Sequence, residues 1–209
     1  MTPFASNGAI VSASLLVMAA TMAPALSDEA PDEATARAFR EFSRCDDETM
    51  PSLGAVLGPQ FESLPSTTRS DGTKVTTLSP PLTVGSAAFD EYFDSRTRLG
   101  ELGSVRQWGF VSRQGVNAVR EGLIGLIADG DHMVAKGGFA RIEYFDGARW
   151  VAVIGSGKNG AVVPEEFFGA PMRAFVIAAD DGEDQPTTIV KCRSAHPAAG
   201  SKAGGGKPN

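Results

Sequence analysis

The chain has 209 residues and a formal charge of −6, with 42% hydrophobic and 21% charged residues, enough apolar material for one domain and too much for a wholly disordered chain. The acidic balance, with no clustered Lys and Arg, excludes nucleic acid and anionic lipid surfaces as expected partners, since both are held by cations that displace counterions. With 24 Gly and 13 Pro, many turns and short elements are expected rather than long helices.

Residues 1–27 carry no charged side chain, and Ala9 to Met22 form an apolar to weakly polar run the length of a signal-peptide core. Small residues follow at Ala25 and Ser27, then the abruptly acidic Asp28-Glu29, so cleavage is expected after Ser27, with Ala25 as the alternative. Ser12, Ser14 and Thr21 dilute the run below what an uncleaved anchor needs, so no stable membrane anchor is expected after cleavage. No Cys lies in this stretch, which excludes a lipid-modified lipoprotein. The expected organisation is a signal peptide over 1–27, one domain over 28–193 and a flexible tail over 194–209.

In the expected mature chain, Asp32 can cap a helix running to about Arg44, whose Thr35, Ala38, Phe39, Phe42 and Cys45 share one face at helical spacing. Leu53 to Leu64 can add a broken helical segment, interrupted at Gly58-Pro59. Residues 65–73 read as a polar loop, and Lys74 to Leu78 as a short strand stopped by Ser79-Pro80-Pro81. Phe89, Tyr92 and Phe93 suit a short helix, and Val105, Trp108 and Phe110 suit a strand. Val116, Val119, Leu123, Ile124 and Ile127 repeat at helical spacing, with Gly130 as the natural stop and Gly122 and Gly125 as weakening residues. Phe139 to Phe145 alternates Ile142 and Tyr144 against Arg141 and Glu143, Asp146-Gly147 signals a type I′ turn, and Ala148 to Ile154 returns as a hairpin. Met172 to Ala179 and Thr187 to Arg193 read as a second antiparallel pair. The order predicts an α+β fold: N-terminal helices on a mostly antiparallel sheet built from C-terminal hairpins.

The two cysteines, Cys45 and Cys192, lie near opposite ends of the mature chain without metal-ligand or CxxC spacing. In an exported protein such a pair reads as one structural disulfide, tying the first helix to the last strand.

Residues suited to chemistry are few. His196 falls in the expected tail, so His132, flanked by Asp129 and Asp131, is the one imidazole placed to act as a base. A small exported hydrolase using His132 with Asp129 or Asp131 is the alternative reading, although no G-x-S-x-G elbow is present. Gly155 to Gly160, with Gly157 and Lys158, follows a strand as an anion-cradling loop could, but lacks the Walker spacing. Asp180 to Asp184 lacks calcium-loop spacing and reads as a solvated tip. Trp108, Tyr144 and Trp150 could stack on a ligand or pack in the sheet. No metal or cofactor is called for. The sequence thus favours an exported, periplasmic or secreted, non-enzymatic domain that binds a protein, an envelope component or a small ligand.

Overall fold

A computed structural model describes residues 31–46, 63–135, 138–153, 169–180 and 187–198. The expected signal peptide, the segment 53–62 and the loop carrying Gly157 and Lys158 lie outside the described residues. Within them, a mostly antiparallel sheet, two α-helices and one disulfide make up the fold.

Helix α1 spans Pro31–Phe42 and ends in a tight turn, in which the N–H of Arg44 and of Cys45 reach back to Glu41 and Phe42. Its Ala38, Phe39 and Phe42 are buried, as the spacing requires, whereas Cys45 lies past the helix end expected near Arg44 and is brought to the core by the turn. Phe39 and Phe42 insert among Phe89, Phe110 and Phe175, with ring centroids 5.2–6.4 Å apart. Each such ring contributes about 1.5–3 kcal/mol through burial alone. Cys45 is bonded to Cys192, with a Cα–Cα separation of 5.1 Å, and this joins the end of α1 to the last strand.

The strands are β1 (Ser66–Thr68), β2 (Lys74–Val84), β3 (Ala87–Arg98), β4 (Ser104–Ser112), β5 (Val134–Ala135), β6 (Gly138–Phe145), β7 (Trp150–Ala152), β8 (Met172–Asp180) and β9 (Thr187–His196). Helix α2 (Val116–Leu123) falls between β4 and β5. The sheet order is β1-β2-β3-β4-β9-β8-β6-β5, with β7 also pairing with β6. The sheet therefore begins at residue 66 and is not confined to the C-terminal hairpins.

Several expectations are corrected. β2 does not stop at the prolines but runs on to Val84. Its register breaks between Thr77 and Leu82, where residues 78–81 bulge opposite Asp90, and β1 covers only Lys74 to Thr76 on the other side. Pro80 and Pro81 thus sit where no ladder hydrogen bond is asked of them, the position proline tolerates in a sheet. Phe89, Tyr92 and Phe93 belong to β3, not to a helix. The irregular pairing at Asp90 shifts the phase, so that Phe89 and Tyr92 both reach the core. The helix after β4 stops at Leu123 and tightens into a 3₁₀ turn at Ile124–Leu126, while Gly130 begins another such turn instead of ending the helix. Ile124, expected on the apolar face, is 40% exposed.

Gly122 has a packing role. A side chain there would meet Ser86 Oγ at 2.7 Å and Ala87 N at 2.9 Å, so the glycine lets α2 press onto the β2–β3 turn. The β6–β7 hairpin is present, but Phe145 pairs with Trp150, which leaves a four-residue loop and no type I′ turn. Only Gly147 of the Asp-Gly pair has positive φ; the Asp146 carboxylate accepts N–H bonds from Ala148 and Arg149, both at 2.9 Å. β9 extends to His196, with Ser194 buried and paired to Arg106 of β4, so 194–196 is sheet and not tail.

Candidate functional site

The strand β6 inverts the usual binary pattern. Arg141 and Glu143, two residues apart and so on one face, are both buried, while Ile142 between them is half-buried. The reason lies in the elements above them. The turn after α1 and the stretch following the Ile124–Leu126 turn leave carbonyl groups without helical partners, and Arg141 supplies the donors. Its guanidinium donates to Ser43 O at 2.6 Å and to Ala128 O. Ser43 Oγ completes the seam, accepting from Ala128 N and donating to Arg40 O, each at 2.8 Å.

Charge is balanced by a chain of ion pairs. Glu143 Oε2 lies 3.5 Å from Arg141 Nε and 2.8 Å from Arg173 Nε, and Arg173 also donates to Asp46. Burial pulls the Arg141 pKa below its ordinary value, against the attraction of Glu143 and Asp129. A buried charge held this way costs little only while every partner is present.

Above this chain an open cleft of about 610 Å³ is lined by Arg40, Arg44, Asp46, Ile127, Ala128, Asp129, Trp150 and Arg173. Four separated segments build it: the end of α1, the 127–129 loop, β7 and β8. The guanidinium carbon of Arg173 lies over Trp150, 4.4 Å from the ring centroid. Held by Glu143, Asp46 and Trp150 at once, this side chain loses little freedom on meeting a ligand. The two non-glycine residues with positive φ among those described, Cys45 (59°) and Asp129 (51°), also belong to this region. Cys45 sits between Arg44 and Asp46, and Asp129 lines the cleft. Backbone in this conformation costs about 1–3 kcal/mol and persists where its surroundings fix it.

The residues singled out from the sequence are placed unevenly. Asp129 and Trp150 come together in the cleft. His132 and Asp131 are exposed on the Gly130–His132 turn, and the His132 side chain has no hydrogen bond to any described residue. Trp108 is fully buried, opposite Cys192 in the β4–β9 ladder, and Tyr144 is buried too. Arg141, Glu143 and Arg173 were not singled out. The signal available was a charged pair at i, i+2 in a strand, and one arginine inside the apolar run of β8.

The sheet face away from the helices carries a second, smaller groove of about 250 Å³. Its floor includes Phe93, Val111 and Ile189, and its rim Asp71, Glu91 and Asp180, with Arg69 3.8 Å from Glu91. It is built from strand side chains and the β1–β2 turn. Among the described residues, no group of three or more His, Cys, Asp or Glu is arranged to hold a metal ion, and no helix is long and apolar enough to cross a membrane.

The described residues thus define a disulfide-bonded, mostly antiparallel β protein with a clustered ionic cleft at one end of its first helix. No protein-family model matches the chain, and no curated protein or solved structure matches it either.

Proposed function

We propose that the protein is an exported, non-enzymatic α+β domain, periplasmic or secreted, that binds a small ligand or part of an envelope partner in the Trp150–Arg173 cleft. The observation that carries this reading is Arg173 itself. It is fixed by two carboxylates and an indole at the floor of an open cleft, an investment in order that binding uses. Export is supported by the charge-free apolar leader and by a disulfide of the kind that persists in oxidising compartments.

The test is recovery of the protein from its native cells, followed by N-terminal sequencing and thiol titration in denaturant. The expected chain begins at Asp28, or at Leu26 if cleavage follows Ala25, and shows no reactive thiol. A chain that retains Met1 and has two free thiols would overturn the reading.

A further inference from the structure

The charged groups lining the cleft narrow the chemistry of its ligand. Three guanidinium groups, those of Arg40, Arg44 and Arg173, line the cleft with two carboxylates, those of Asp46 and Asp129. Glu143 beneath is shared with the buried Arg141 and Glu41 stands beside Arg44, so the cleft offers an anion guanidinium N–H donors and not a net charge. Asp46 is committed to Arg173, and Asp129 is attracted to the buried Arg141. Arg40 is exposed and makes no ion pair among the described residues. Arg44 pairs with Glu41 at 3.3 Å, but both side chains are about half exposed, and a pair of that kind exchanges partners at little cost.

Arg173 spends its Nε–H on Glu143 and one Nη1–H on Asp46. A guanidinium has five N–H donors, so three remain without a partner among the described residues. Planar N–H donors of this kind match the paired oxygens of a carboxylate or phosphate. Beside them the half-buried Trp150 offers apolar surface, with the buried Ile127 also lining the cleft, and the volume suits a small organic molecule.

We infer that the cleft takes a carboxylate or phosphate carried on a small apolar or aromatic body. The anion sits at Arg173 with Arg40 and Arg44 on the rim, and the body lies against Ile127 and Trp150. This rests on the cleft being the binding site, so the experiment separates the two claims.

The disulfide-bonded, ¹⁵N-labelled protein is titrated at low salt with benzoate, phenyl phosphate, benzamide and benzylamine, following the Trp150 indole and Arg173 signals. The expected result is that both anions move these signals, with affinities about tenfold or more above that of neutral benzamide, and that benzylamine is the weakest. Arg40→Gln and Arg44→Gln, at exposed positions, should each weaken benzoate severalfold with an unchanged near-ultraviolet spectrum. Arg173→Lys keeps the charge but loses the planar fork, and should weaken it further. Equal binding of benzoate and benzamide at Trp150, or a preference for benzylamine, refutes the anion chemistry and leaves the site standing. No movement at Trp150 or Arg173 with any of the four refutes the site as well.

Discussion

Replacing Cys45 and Cys192 together by alanine tests how much of the fold depends on the join between α1 and β9. The bridge closes a loop with a sequence separation of 147. Chain-entropy theory assigns such a crosslink about 5 kcal/mol at 25 °C, acting mainly by restricting the unfolded chain. Two structural features adjust that figure in opposite directions. Both cysteines are buried, so truncation also removes packed sulfur; against this, the released turn at Cys45 can leave its positive φ of 59° and recover about 1 kcal/mol. Residual structure in the unfolded chain lowers the entropic gain further. The expected net loss is about 3–5 kcal/mol, or a fall in Tm of about 10–15 °C for a domain of this size. Urea unfolding followed by fluorescence, with wild type under oxidising and reducing conditions beside the double variant, measures it. Reduced wild type should fall toward the variant, short of it by the packing of the retained sulfurs, and both should show a steeper m-value than the oxidised protein, because an uncrosslinked chain exposes more surface. An unchanged midpoint and slope in all three samples would refute the crosslink as a determinant of stability.

The remaining predictions address the ionic seam, α2 and the hairpin loop. Glu143→Gln leaves Arg141 and Arg173 without their shared counter-charge and should cost about 3 kcal/mol by urea denaturation, whereas a cost below about 1 kcal/mol would mean that water has replaced the carboxylate. Gly122→Ala and Gly125→Ala should differ in sign. The first collides with Ser86 and Ala87 and destabilises by about 1–3 kcal/mol; the second meets nothing within 4 Å and stabilises by about 0.5 kcal/mol, both read as shifts in Tm. N–H bonds from Arg149 and Ala148 hold the Asp146 carboxyl below its ordinary pKa of 3.8. Its contribution to stability is therefore complete above that value and is lost as pH falls through the lower folded value. The Tm gap between wild type and Asp146→Ala should stand at about pH 6 and narrow progressively as the pH is lowered below the ordinary carboxylate value, and a gap independent of pH would assign the effect to packing.

What could be read from the sequence was what depends on a segment's own periodicity. The inward face of α1 repeats at 3.6 residues, two strand-length segments flank Asp146-Gly147, Met172 to Ala179 and Thr187 to Arg193 read as a further pair of strands, and all are present in the fold. The β2 prolines misled because their cost depends on whether a neighbour demands the N–H, and the bulge opposite Asp90 removes that demand. β3 misled because its phase shift mimics helical spacing. The last residues of β9 look too small and polar to be structured, yet the ladder from Ser104 to Arg106 reaches them and Ser194 is buried between neighbours. In each case the deciding partner lies elsewhere in the chain, where a local pattern carries no trace of it.

The cleft shows the same limit in sharper form. A strand reading Phe-Ala-Arg-Ile-Glu-Tyr-Phe assigns its charges to solvent, because burying them alone costs several kcal/mol each. That rule gives way here because two irregular backbone segments, at Ser43 and at Ala128, bring unsatisfied carbonyls to the same spot. The first of these segments also supplies Asp46, and β8 supplies Arg173 to share Glu143. A purely structural solution to those carbonyls would need one buried donor with its counter-ion and nothing more. Arg173 exceeds that need: it bonds no backbone carbonyl of the seam, its second carboxylate lies at the edge of solvent, and its guanidinium carbon sits 4.4 Å from the centre of an indole that lines the cleft. Charge ordered beyond what the fold requires is the physical ground for the proposal that recognition occurs at this end of the molecule, and departures from local pattern are expected to gather at such sites.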